Sequence, residues 1–326
     1  MRPAGARLKI GTRGSALALW QTERIRFLLR AAGFETERVE IKTTGDLTPD
    51  IPLAQIGSRS LFTRQIDDAL LDNRIDLAVH SLKDLPTELP VGIVIAAVSV
   101  REDPRDALVG RNPVRWSDLP RGGLIATSSL RRRAQLLHSR PDLRIVDIRG
   151  NVDTRLAKLD VRPEWSGTVL ATAGLVRLGL AHRIGERLPP EIMLPAPGQG
   201  ALAVTVRADD ADVHRAVRKA VHDDLTSVEV AAERAFLRRL EGGCQVPVAA
   251  LARLEGASSH PVLVLQGRVI SLGGERLVEG VEARAARNEA AAAALGTALA
   301  ERLLGEGAAT ILAEVREAAA PTVTEP

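Results

Sequence analysis

Over about the first 200 residues, short β-branched and aliphatic runs alternate with stretches whose apolar positions recur every three or four residues. That alternation predicts strands and helices wound in turn. Leu8-Lys9-Ile10-Gly11 predicts a strand, and Ser15 opens a helix through about Ala32. A strand over 39–44, a helix from about Leu61 to Leu71 and a strand over 76–80 follow. This βαβαβ start gathers polar residues at strand C-termini, where ligands bind in open α/β sheets. The charged, proline-containing run from Arg101 to Asp106 suits a hinge. A second set then begins, with strands over 124–127, 145–148 and 168–171 and helices over 129–138 and 152–159. Leu194-Pro195-Ala196-Pro197-Gly198-Gln199-Gly200 reads as a return crossing into a strand over 201–206. Two strand–helix lobes joined by two crossings make a hinged binding cleft.

After Val221 the pattern changes. A helix over about 227–240 precedes strands over 248–254, 262–269 and 278–283, then an alanine-rich helix over about 288–304. The expected fold class is α/β, two lobes with parallel-rich sheets, plus a small α+β C-terminal domain. The expected boundaries are 1–101 with 197–221 for the first lobe, 102–196 for the second and 222–318 for the third domain. Residues 319–326 are expected to form a disordered tail.

Composition narrows the function classes. The chain has 326 residues, 45% of them hydrophobic, and a net charge of only +3, which gives no electrostatic case for nucleic acid. Tyrosine is absent and only four phenylalanines occur, so the stacking platforms of single-strand binders are missing. The N-terminus carries no apolar run long enough for a signal peptide or membrane span, so a cytoplasmic protein without membrane contact is expected. Of the basic residues 39 are arginine and 5 lysine, which makes a retained lysine such as Lys83 a stronger functional candidate.

Cys244 is the only cysteine, in Glu241-Gly242-Gly243-Cys244-Gln245-Val246-Pro247. It can form no internal disulfide and belongs to no four-cysteine metal site. Two glycines beside it leave the sulfur sterically open, so it is either a small buried apolar residue or a single covalent attachment point. The six histidines show no ligand spacing, and no metal is expected.

Three strand-to-helix turns carry arginine with small polar residues: Thr12-Arg13-Gly14-Ser15, Thr127-Ser128-Ser129-Leu130-Arg131-Arg132-Arg133 and Arg149-Gly150-Asn151-Val152-Asp153-Thr154-Arg155. Helix N-termini and arginine forks at such turns favour anions. The alternative for the second turn is an N-cap followed by a solvated basic face. Arg177 lies on a further short helix. No GxxxxGK[ST] loop is present, so carboxylates are favoured over phosphate. His80-Ser81-Leu82-Lys83-Asp84 ends a buried strand, which aims Lys83 and Asp84 at a cleft ligand. A surface Lys–Asp pair is the alternative, and His80 is a candidate for simple packing.

Together these segments resemble the porphobilinogen deaminase family. The resemblance runs in order through TRGSALALWQ (12–21), TTGD (43–46), AVHSLKDLP (78–86), REDPRDAL (101–108), TSSLRRRAQL (127–136), RGNVDTRLAKLD (149–160), AGLVRLGL (173–180), LPAPGQGAL (194–202) and LEGGCQVPVAA (240–250). It implies two lobes like those of periplasmic binding proteins. It also implies a dipyrromethane cofactor bound through a thioether to Cys244, and addition of four porphobilinogen units with loss of ammonia. Every pyrrole carries an acetate and a propionate, so the growing chain needs many cationic anchors. By similarity, Ser81, Lys83, Thr127, Ser129, Arg131, Arg132, Gln199 and Gly200 address the cofactor. Arg13, Ser15, Arg59, Arg149, Arg155 and Arg177 address substrate, and Asp84 stabilises a cationic azafulvenium-like species. No exposed apolar helix face is obvious in the sequence, so a monomer is expected.

Two departures stand out. Arg59 replaces a lysine common in the family, which keeps charge but offers no labile proton. The stretch 161–167 is one residue longer than in many relatives, with Ser166-Gly167 in place of a common Asp-Ala, and a local loop change is expected there. A two-lobed solute-binding protein and an inactive deaminase-like scaffold are the competing readings.

Overall fold

The computed structural model describes residues 7–43, 63–240, 246–256 and 261–319. In the first lobe, β1 (Leu8–Thr12) leads into α1 (Ala16–Ala31), whose buried Gln21, Thr22, Ile25 and Leu29 lie at helical spacing. The Ser15 hydroxyl caps α1 by accepting the Ala18 N–H at 3.3 Å. β2 (Thr36–Glu40), α2 (Arg64–Leu71), β3 (Leu77–Ser81) and β4 (Ile93–Val98) follow. β2 starts earlier than the expected 39–44, because its pairing to β1 runs in parallel from Leu8 opposite Thr36. β2 is mostly polar and lies at the sheet edge, so its period is weak in sequence. The expected start of α2 at Leu61 and the end of the second strand at Thr44 lie outside the described residues.

The second lobe contains β5 (Asp106–Val109), β6 (Leu124–Ala126), α3 (Leu130–Ser139), β7 (Arg144–Val146), α4 (Val152–Asp160), β8 (Gly167–Ala171), α5 (Thr172–Arg177) and β9 (Glu186–Arg187). The chain then returns to the first lobe as β10 (Leu202–Arg207) and α6 (Ala211–Val221). Sheet order is β2-β1-β3-β10-β4 in one lobe and β7-β6-β8-β5-β9 in the other.

These sheets are more mixed than the alternating pattern suggested. β1 is parallel to β2 and β3, but β10 runs antiparallel to both β3 and β4. In the second sheet β6 is parallel to β7 and β8, while β5 is antiparallel to β8 and β9. The cause is the double crossing: each strand that enters from the other lobe, β5 or β10, comes in from the opposite end.

The third domain packs α7 (Asp224–Arg239), α8 (Glu289–Leu303) and α9 (Ala309–Ala319) with an antiparallel meander of β11 (Val248–Glu255), β12 (Val262–Ile270) and β13 (Leu277–Ala285). Its core centres on fully buried Phe236. α7 and α8 approach so closely that a Cβ at Gly296 would lie 2.1 Å from the Ala232 carbonyl oxygen. α9 was not anticipated; it follows a kink at Gly307 and buries Ile311, Leu312 and Val315. The chain is therefore helical through Ala319, and the rest of the expected tail lies outside the described residues. Among the described residues no helix is long and apolar enough to cross a membrane.

Candidate active site

The two crossings touch each other at the base of the cleft. Glu102 N–H donates to the Gly200 carbonyl at 3.1 Å, and Arg101 Nε donates to the Gln199 carbonyl at 2.9 Å. Gly200 has φ +94°, and a Cβ there would lie 2.3 Å from the Glu102 carbonyl oxygen, so the close approach requires glycine. Gln199 is fully buried; its Nε2 donates to the Pro104 carbonyl at 2.7 Å and its Oε1 accepts from Lys83 Nζ at 3.2 Å. Lys83, in the short turn after β3, is thus tied to both crossings.

Opposite Lys83 lies a buried charge cluster on the second lobe. Asp106, the first residue of β5 and fully buried, receives Arg132 through Nε at 3.0 Å and Nη2 at 2.7 Å on Oδ1. Arg131 Nη1 lies 2.8 Å from Asp106 Oδ2 and donates to the Leu194 carbonyl at 2.8 Å. Burial by itself would push the Asp106 carboxyl up, but the two guanidiniums outweigh it and hold the group well below the usual carboxylate range. Sequence had put Asp106 in the hinge. Its place directly before the apolar run Ala107-Leu108-Val109 was the available signal of a strand start.

The local turns serve both as caps and as site walls. Ser129 accepts the Arg132 N–H at 3.4 Å as the N-cap of α3, and Thr127 Oγ1 accepts the Ser129 N–H at 3.3 Å. Ser128 Oγ donates to the Ile148 carbonyl and accepts its N–H, at 2.9 and 3.0 Å, pinning this turn to the one that carries Arg149. Arg155 Nε donates to the Gly150 carbonyl at 2.7 Å.

The field of the cleft joins the lobes. Burial pushes Lys83 down to about 8; Asp84 and Asp106 act against that shift, while Arg131 and Arg132 reinforce it. Arg155 is pushed down to about 10 by burial and by Arg132 and Arg149, with Asp84 opposing. Asp84 is exposed to the cleft and is close enough to bias cations on both lobes. Cations outnumber carboxylates here, in a place that disfavours charge. Such a site is completed by anions.

Further residues close its sides. Arg177 Nη2 donates to the Gly200 carbonyl at 2.5 Å, and its guanidinium stands 5.8 Å from the ring centre of Trp20 on α1. Ser81 Oγ accepts from Gln21 Nε2 at 2.8 Å. His80 is buried against Thr205 Oγ1 at 3.2 Å and pushed down to about 4 by burial and by Arg13, so it is a neutral packing residue. Arg13 and Ser15 lie in the β1–α1 turn. Cys244 and Arg59 lie outside the described residues. The stretch 161–167 forms a turn in which Ser166 Oγ accepts the Leu124 N–H at 3.2 Å and Arg162 stands 5.9 Å from the Trp165 ring centre.

Sequence reasoning missed Asp106, Gln21 and Trp20. Each acts on a residue distant in the chain, although all three lay within recognised motifs, Asp106 in REDPRDAL and Trp20 and Gln21 in TRGSALALWQ.

Two family models match. One described as "Porphobilinogen deaminase, dipyromethane cofactor binding domain" spans residues 8–215, and one described as "Porphobilinogen deaminase, C-terminal domain" spans 227–305. The curated porphobilinogen deaminase of Rubrobacter xylanophilus is 53% identical over 312 residues, covering 95% of this chain and 98% of that protein. Its counterpart from Desulforudis audaxviator is 51% identical over the same shares. Among solved structures, a nutrient binding protein from Burkholderia cenocepacia bound to methionine has a similar chain path, with 14% identity and a TM-score of 0.42 over 65% of this chain and 90% of that one. With both models matched and relatives of this identity over nearly its whole length, the chain belongs to the porphobilinogen deaminase family.

Proposed function

We propose that this enzyme joins four porphobilinogen molecules head to tail into a linear tetrapyrrole, releasing ammonia, on a dipyrromethane primer held by a thioether at Cys244. The observation that carries the reading is the cation-rich cleft, where Lys83 and Asp84 of one lobe face Arg131, Arg132 and Arg155 of the other. Lys83 and Arg155 are held below their ordinary values by burial, and the cluster fits a group bearing several carboxylates. Arg131, Arg132, Lys83, Thr127, Ser129, Ser81, Gln199 and Gly200 would hold that group. When bound, the dipyrromethane supplies the free pyrrole carbon to which the first unit joins.

The chain's own residues do the rest. Arg13, Ser15, Arg149, Arg155 and Arg177, with Arg59 beyond the described residues, clamp the acetate and propionate of incoming porphobilinogen. Asp84 supplies a carboxylate beside the aminomethyl carbon. Positive charge that develops as ammonia leaves is stabilised there, and pyrrole N–H groups find an acceptor. The single thiol supports a cytoplasmic protein, and the reading takes it as a monomer acting on a small molecule.

Intact mass tests the proposal. The purified chain is expected to carry an excess equal to two porphobilinogen units less two ammonias. Cys244→Ala should lack that excess, lose the colour given with acidic p-dimethylaminobenzaldehyde and lose activity. A normal excess in the variant would overturn the attachment.

A further inference from the structure

The third domain reaches the cationic helix of the second lobe through a buried polar path. Arg268, on β12 and only 6% exposed, sends Nη1 across the interface to Gln135 Oε1 at 3.0 Å and to the Glu191 carbonyl at 3.3 Å. On its own domain its Nε and Nη2 hold Glu279 Oε2 at 2.9 and 2.8 Å. Gln135 is 1% exposed and sits on α3 one turn beyond Arg131. Its Nε2 donates to the Leu194 carbonyl at 3.0 Å, and its Oε1 accepts the Leu194 N–H at 2.8 Å. The same Leu194 carbonyl accepts Arg131 Nη1, which also meets Asp106.

Gln135 Oε1 therefore accepts from both the Leu194 N–H and Arg268, while Nε2 faces an acceptor. A guanidinium only donates, so Arg268 reinforces the Leu194 N–H in holding the amide oxygen toward the third domain, with the nitrogen on the Leu194 carbonyl. Leu194 in turn fixes one of the two oxygens that aim Arg131. An unbroken chain of polar contacts thus runs from the domain whose sequence carries Cys244 to a guanidinium of the cleft.

We propose that Arg268 is a positioning residue: it sets the third domain and Arg131 in one register, so that attachment of the pyrrole group and the grip on its carboxylates are aligned together. This rests on the functional reading above. Other contacts hold the interface without it, among them Ala250 N–H to the Pro195 carbonyl at 3.0 Å and His138 Nδ1 with the Gly274 carbonyl at 2.8 Å. An Arg268 variant therefore keeps its domain docked.

The test follows mass gain when cofactor-free full-length protein is mixed with porphobilinogen. Arg268→Met should load the pyrrole units at least about 5-fold more slowly than the parent, and Arg268→Lys should recover much of the rate. Arg276→Met, which removes the exposed pairing of Arg276 with Glu314 on the same domain, serves as the control and should load at the parental rate. In a Gln135→Leu background, Arg268→Met should add less than about 2-fold, because the path is already cut. Loading of Arg268→Met at the parental rate would overturn the proposal while leaving the functional reading intact. So would equal slowing by Arg276→Met, or full additivity with Gln135→Leu. A parent that gains no pyrrole mass would overturn both.

Discussion

Arg101 and Glu233 meet in a buried two-pronged ion pair, Nη1 to Oε1 at 2.7 Å and Nη2 to Oε2 at 3.0 Å. Arg101 belongs to the first crossing and Glu233 to α7, which leads into the segment carrying Cys244. Glu233 Oε2 also accepts the Gly198 N–H of the second crossing at 2.7 Å, and Oε1 accepts the Ala252 N–H of β11 at 2.8 Å. One carboxylate thus ties both crossings to the third domain. Burial alone would push Arg101 down, but Glu233 and Glu229 outweigh it and raise it.

Glu233→Gln should be among the most destabilising single changes in the chain. It leaves the Arg101 charge buried without its main partner, at a cost of about 3–5 kcal/mol. Denaturant unfolding should show it as a lower midpoint. The double variant Arg101→Met/Glu233→Leu should lose less than Glu233→Gln, since no charge is stranded. A double variant less stable than the single one would mean that the pair's value lies in its packing.

Asp106→Asn strands two guanidiniums and should also cost about 3–5 kcal/mol at neutral pH. The parent carboxyl is held below its unfolded value, so its contribution is present above the unfolded pKa near 3.9 and is lost only as pH falls through the lower folded value. The stability gap between parent and variant should therefore persist down to about pH 4 and close below it. Urea unfolding at several pH values measures the gap. A gap that stayed constant from pH 5 down to about pH 2 would show that the carboxyl titrates normally.

Much of this organisation was legible in the chain, for identifiable reasons. The helices over 130–139 and 152–160 announce themselves by capping residues and period, and the crossing at 194–200 by its prolines and glycines. Ser129 shows how a local signal serves two readings, since the hydroxyl that caps α3 comes just before the two guanidiniums that meet Asp106. What stayed hidden is long-range. The Asp106–Arg132 contact spans 26 residues and the Arg268–Gln135 contact 133, so no local pattern encodes either. β4 was missed although Ile93-Val94-Ile95-Ala96-Ala97-Val98 is wholly apolar, because a continuous run lacks the alternation that marks a half-buried strand.

Lys83 should give kcat/KM an alkaline limb. The amine, pushed down to about 8 by burial, loses charge as pH rises through that value and with it the attraction for substrate carboxylates. Stability should move the opposite way. Between about 8 and the unfolded value near 10.4 the unfolded chain binds the extra proton, so this group favours folding increasingly as pH rises. Lys83→Arg keeps its charge across the range and should abolish the limb. A pH–rate profile of substrate addition decides it, and an unchanged limb in Lys83→Arg would assign it to another group.

Asp84 is where the chemistry is expected to fail first. It follows Lys83 on a short turn after β3, is exposed to the cleft, and acts electrostatically on cations of both lobes. Every other charge proposed to touch ligand is positive, so Asp84 alone can stabilise positive charge on a pyrrole as ammonia departs. Asparagine keeps the size and some hydrogen bonding but removes the charge, so binding should survive while turnover slows. The expected fall is at least about 10²-fold, roughly 2.7 kcal/mol of lost transition-state stabilisation. Asp84→Glu should retain more activity, limited by its longer reach. Single-turnover addition of porphobilinogen to the loaded protein, followed by mass, isolates this step from product release. If Asp84→Asn added units as fast as the parent, the developing cation would have to be stabilised elsewhere, and Asp84 would serve only to hold Lys83 and Arg155 in place.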